Sequence, residues 1–121
     1  MYTLIIADDE YELRRALIHT VDWESIGFQV VGEAENGVEA IELVEKLEPD
    51  LLTGIELARQ VRMVRPAMNI AFLSGYDDFA YAQQAIQYNI ISYILKPISA
   101  SELRNEMLKI RDKMDKKVEE L

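Results

Sequence analysis

Three adjacent acids, Asp8, Asp9 and Glu10, follow an apolar run from Tyr2 to Ala7 and offer the clearest chemistry in the chain. Carboxylate oxygens are hard donors, and Mg²⁺ takes only one or two of them from a protein while keeping several waters. The same acids also suit the positive end of a helix that starts there. A site that cradled phosphate directly would carry glycines or hydroxyls instead. Two further runs end in polar groups: Asn69 to Leu73 leads into Ser74, and Tyr93-Ile94-Leu95 into Lys96-Pro97. A lysine pairs with a carboxylate or a phosphoryl oxygen, and a serine hydroxyl donates to the same point. Singly, each is also ordinary turn or terminus chemistry. Together they describe an anion site bridged by a divalent metal.

Convergence of these groups requires a scaffold, and the apolar pattern supplies one. Tyr2–Ala7 lacks alternation, which marks a strand covered on both faces. Leu13, Ala16 and Leu17 have helical spacing, and Phe28 to Gly32 forms a second strand. Asn36-Gly37 caps a helix carrying Val38, Ala40, Ile41, Val44 and Leu47, which Pro49 ends. Asp50 to Thr53 is a third strand, Gly54 to Val64 a third helix and Asn69 to Ser74 a fourth strand. Phe79 to Tyr88 is a fourth helix, and Ile90 to Leu95 a fifth strand. Ser99 to Glu102 resembles a capping box that opens a long closing helix. Such alternation implies parallel strands with right-handed crossovers, and a site at their carboxyl ends.

Composition narrows the alternatives. One domain fits in 121 residues, and it needs no disulfides, because there are no cysteines. With 13 Lys and Arg against 22 Asp and Glu, the net charge of −9 repels nucleic-acid phosphates. No apolar run approaches the roughly 18 residues of a membrane span, and the amino terminus reads as a strand rather than a signal peptide. A cytoplasmic location is expected.

The combined motifs resemble the receiver domain of two-component response regulators. The matching pieces are Ile5-Ile6-Ala7-Asp8-Asp9-Glu10, Gly32-Glu33-Ala34-Glu35-Asn36-Gly37, Glu48-Pro49-Asp50-Leu51-Leu52, Leu73-Ser74-Gly75-Tyr76 and Tyr93-Ile94-Leu95-Lys96-Pro97. The stretch from Ser74 to Ala82 is similar to the subgroup that precedes AraC-type helix-turn-helix output domains. The resemblance implies an α/β, flavodoxin-like (βα)5 fold with a parallel sheet in the order 2-1-3-4-5. It also implies Mg²⁺ on Asp8 and Asp9, phosphoryl contacts from Ser74 and Lys96, and Tyr93 as a switch. The implied partners are a sensor histidine kinase and a second copy of the chain. That copy would dock through the fourth-helix, fifth-strand and fifth-helix face or through the closing helix. DNA would be contacted only by an output domain. The expected role is a signalling phosphoacceptor rather than an enzyme.

One piece is absent. Family members pass from the third strand to an acceptor Asp and a loop, whereas here Thr53 is followed directly by Gly54-Ile55-Glu56. Strand-to-helix connections usually take roughly two to six residues, and this junction has almost none. Asp50 cannot substitute, because it starts the strand about 10 Å from its end. Both flanks match the family, which favours a segment omitted between Thr53 and Gly54 over a deletion. A deletion would leave a phosphorylation-independent interaction module. A Mg²⁺-dependent phosphatase is the remaining alternative, and flavin binding is disfavoured by the acids.

The rest of the chain reads more plainly. The receiver is assigned to residues 1–110, and 111–121 to a linker or dimerisation extension of the last helix. The seam of Leu103, Met107, Ile110, Met114 and Leu121 suggests that extension. His19 is read as structural with no partner, and Trp23 as a cover for the first helix.

Overall fold

The computed structural model describes residues 1–54, 61, 63–74, 83, 87, 90–95 and 98–119. Its strands are β1 (Tyr2–Ala7), β2 (Phe28–Ala34), β3 (Leu51–Gly54), β4 (Asn69–Ser74) and β5 (Ser92–Leu95). They form one parallel sheet in the order β2-β1-β3-β4-β5. Helix α1 (Tyr11–Thr20), helix α2 (Gly37–Leu47) and a closing helix (Ala100–Glu119) are described in full. The expected third and fourth helices lie mostly outside the described residues.

Successive residues of a strand point to opposite faces, so a strand buried on both sides feeds two cores. Leu4 and Ile6 join the core under α1 and the closing helix, with Leu17, Phe28, Met107, Ile110 and Met114. Ile5 and Ala7 join the second core under α2, with Ala40, Val44, Leu52, Ile70 and Phe72. The lack of alternation in β1 follows from this double burial.

The caps form as their residue types dictate. Asn36 accepts from the Glu39 N–H at 3.0 Å, and Ser99 from the Glu102 N–H at 3.1 Å. Trp23 donates its indole N–H to the carbonyls of Leu17 and Ile18, closing the end of α1 as expected. Gly27 has φ +90°, and a Cβ there would meet the Arg111 side chain at 2.9 Å. The closing helix is continuous through Glu119 and remains packed beyond residue 110, because Met114 is buried and Arg111 donates to the Ile26 carbonyl. Strand β5 starts two residues later than the sequence suggests. His19 has a partner, contrary to expectation: its Nε2 lies 2.9 Å from Arg15 Nη2, one helical turn away.

Strand β2 contains one irregularity with consequences. Leu4 pairs with Val30 but Ile5 pairs with Gly32, so Val31 is an extra residue. From there Glu33 opposes Ile6 and Ala34 opposes Ala7. The bulge reverses the parity of β2 and turns Glu33 toward α1.

Candidate metal and phosphoryl site

The site starts where β1 stops. Asp8 donates its backbone N–H to the Ala34 carbonyl at 2.9 Å, and its Oδ1 accepts the Glu10 N–H at 2.9 Å. This turn holds the Asp8 carboxylate at 3% exposure, while Asp9 and Glu10 stay exposed. One carboxylate oxygen from each of the three acids lies within 4.8 Å of the others. An all-oxygen donor set, buried on one side and open to water on the other, fits Mg²⁺. Asp8, Asp9 and Glu10 could each offer one oxygen to such an ion. When bound, the ion would neutralise charge on a phosphoryl group.

Behind the acids is a charged network that sequence reasoning missed. Arg14, only 6% exposed, donates from Nη1 to the Asp8 carbonyl at 2.6 Å and from Nε to Glu33 Oε1 at 3.0 Å. Arg15 Nη1 donates to the other Glu33 oxygen at 2.5 Å. The Tyr11 ring lies 5.3 Å from the Arg14 guanidinium carbon. Burial pushes the Glu33 carboxyl up, but the hydrogen bonds and charges of Arg14 and Arg15 outweigh it and hold the group below its usual range. A signal did exist in the sequence: Arg14 shares one helical face with Leu17 and Val21, both buried, and a charge on a buried stripe needs partners.

The other strand ends meet the same rim. Order places β3 between β1 and β4, with Thr53 opposite Ile6 and Gly54 opposite Phe72. Ser74 ends β4 and its backbone pairs with Leu95, the last residue of β5. Tyr93 is half-buried, its ring edge-on to Phe72 at 6.2 Å between centroids. Lys96 and Pro97 lie outside the described residues, as does the side chain of Ser74. Thr53 and Gly54 are consecutive β3 residues, and the next in sequence is Ile55, whose side chain cannot accept a phosphoryl group. Asp50 is at the opposite rim, accepting from the Thr3 N–H at 2.8 Å.

A five-stranded flavodoxin-like sheet with an acidic cup at the end of β1 defines a class of signalling domains. The family description "Response regulator receiver domain" matches residues 4–108, so the chain belongs to the response regulator receiver family. This is a signalling domain of two-component systems. The receiver domain of AraT, a response regulator from Geobacillus stearothermophilus, is 32% identical, with a TM-score of 0.85 over 96% of this chain and 97% of that one. A two-component transcriptional regulator AraC from Clostridium phytofermentans is 28% identical, with a TM-score of 0.81 over 96% of this chain and 97% of that one. The transcriptional regulatory protein YesN of Bacillus subtilis is 31% identical over 119 residues, covering 91% of this chain and 32% of that protein.

The chain thus spans about a third of YesN, and 44% of the HptR regulator of Staphylococcus aureus, to which it is 30% identical over 112 residues. Among the described residues no helix is long and apolar enough to cross a membrane.

Proposed function

We propose that this receiver takes a phosphoryl group from a sensor histidine kinase onto an Asp and relays that state to a transcriptional output domain. In this reading the acceptor belongs to a segment between the end of β3 and the next helix, which the 121-residue sequence passes over at Thr53–Gly54. The observation that carries the reading is the cup of three carboxylates at the end of β1, next to the end of β3. Like charges drawn within 4.8 Å repel one another, and a bound cation turns that repulsion into affinity. Asp8 and Asp9 would hold Mg²⁺, Ser74 and Lys96 would grip the phosphoryl oxygens, and Tyr93 would follow Ser74 inward. The kinase supplies the phosphohistidine; the Asp carboxylate attacks its phosphorus, the P–N bond breaks and the imidazole leaves, giving an aspartyl phosphate. Output would run through the fourth-helix, β5 and closing-helix face of a homodimer in the cytoplasm, with residues past 110 leading toward the output domain.

A second reading is favoured by the pairing of Thr53 and Gly54 with β4, which leaves no carboxylate at the end of β3. A chain of this sequence alone would act as a phosphorylation-independent interaction module. Intact mass before and after acetyl phosphate with Mg²⁺ separates the two. The phosphoacceptor reading expects a natural protein heavier than this sequence across the β3 junction and a gain of one phosphoryl group. A junction peptide reading Thr53-Gly54, with no gain in mass, would establish the second reading. Continuous release of phosphate from small esters would instead mark a phosphatase.

A further inference from the structure

We propose that Arg14 is a positioning residue for the cation site, locking the backbone of Asp8 against β2 through Glu33. The inference rests on the reading of Asp8 and Asp9 as Mg²⁺ ligands. A positive charge beside a cation site is electrostatically unfavourable, so its presence needs a reason. The geometry gives one: a single guanidinium spans the Asp8 carbonyl at 2.6 Å and Glu33 Oε1 at 3.0 Å. The Asp8 N–H is meanwhile tied to the Ala34 carbonyl, so Asp8 is bonded to β2 directly on one side and through Arg14 on the other.

Each element contributes one step. The extra residue Val31 in β2 turns Glu33 toward α1, and Arg15 binds its second oxygen. Glu33 then offsets the charge of Arg14, and the planar fork of Arg14 fixes direction in a way that a point charge cannot. The fork acts on the Asp8 carbonyl, while the carboxylate Oδ1 accepts the Glu10 N–H. Mg²⁺ demands near-ideal octahedral geometry, so it should feel a loosened Asp8 more than Ca²⁺, which tolerates flexible sites.

The test is a titration of the folded wild-type, Arg14→Met and Arg14→Lys proteins with Mg²⁺ and with Ca²⁺, read from the backbone amide shifts of Asp8, Asp9 and Glu10. Positioning predicts that Arg14→Met weakens Mg²⁺ binding about tenfold, and Ca²⁺ binding less. Arg14→Lys, which keeps the charge and loses the fork, should fall between the two. A purely electrostatic role predicts tighter Mg²⁺ binding in Arg14→Met, and a purely structural one a lower melting temperature at unchanged affinity. Either result overturns the proposal. Should Arg14→Met not fold, wild-type affinity in Arg14→Lys overturns it equally. A wild type whose amides ignore Mg²⁺ instead removes the metal reading itself, and the positioning role with it.

Discussion

The two rims of the sheet arrange their polar groups differently. At the amino rim polar groups are paired across long stretches of chain. The Tyr2 hydroxyl donates to Asp115 at 2.6 Å, Thr3 N–H to Asp50 at 2.8 Å, and Lys117 to the Asn69 side chain at 2.8 Å. Lys113 donates to the Ile91 carbonyl at 3.0 Å, so the far end of the closing helix is tied to several of the strand starts. At the carboxyl rim one carboxylate oxygen from each of three consecutive acids lies in one small volume, and the buried Arg14 behind them donates to the Asp8 carbonyl. Long-range hydrogen bonds at one rim hold the fold together, while the acids gathered at the other are what a ligand can use.

The largest expected effect removes the support of the amino rim. Ile110 is fully buried in the core beneath the closing helix, so Ile110→Ala should cost about 3 kcal/mol in urea unfolding. A loss below about 1 kcal/mol would mean that the closing helix contributes little packing, and the contrast between the rims would fail.

A smaller effect concerns one pairing at that rim. The hydrogen bond to Asp115, with burial and the negative charges of Asp115 and Asp50 adding to it, pushes the Tyr2 hydroxyl up to about 12 from 10.0. A folded-state value raised above the unfolded one stabilises the protein below the unfolded value and is lost as pH rises. Stability should therefore fall between about pH 10 and 12 in the wild type. Tyr2→Phe should cost about 1 kcal/mol at neutral pH and remove that alkaline component, as thermal melts across the range would show.

The smallest effect has the opposite sign and sharpens the comparison most. Asp9→Asn relieves repulsion in the cup, so without divalent cations it should be neutral or stabilising by up to about 0.5 kcal/mol. Millimolar Mg²⁺ should raise the melting temperature of the wild type by mass action and leave this variant unmoved. Equal stabilisation of both would place the cation elsewhere.

Much was legible in the sequence because it depends on near neighbours. The unalternating Tyr2–Ala7 run, the Asn36 and Ser99 caps and the acids at the end of β1 are local signals, and each formed where its pattern placed it. The strand order followed from motifs shared with the receiver family, and the absence of an acceptor carboxylate between Leu52 and Gly54 could be read directly. His19 was misjudged because its partner is one helical turn away, and a side-chain contact of that kind depends on rotamers that spacing does not give.

Sequence alone thus determined which of the described elements form and what chemistry the strand ends can support. Tertiary structure decided who faces whom. One additional residue, Val31, changes the face on which Glu33 emerges, and so gives Arg14 the partner that lets it hold Asp8. The same dependence on register joins Tyr2 to Asp115 across 113 positions. Periodicity is written in neighbouring residues, whereas the parity of a bulged strand and the reach of a docked helix exist only once the sheet has closed.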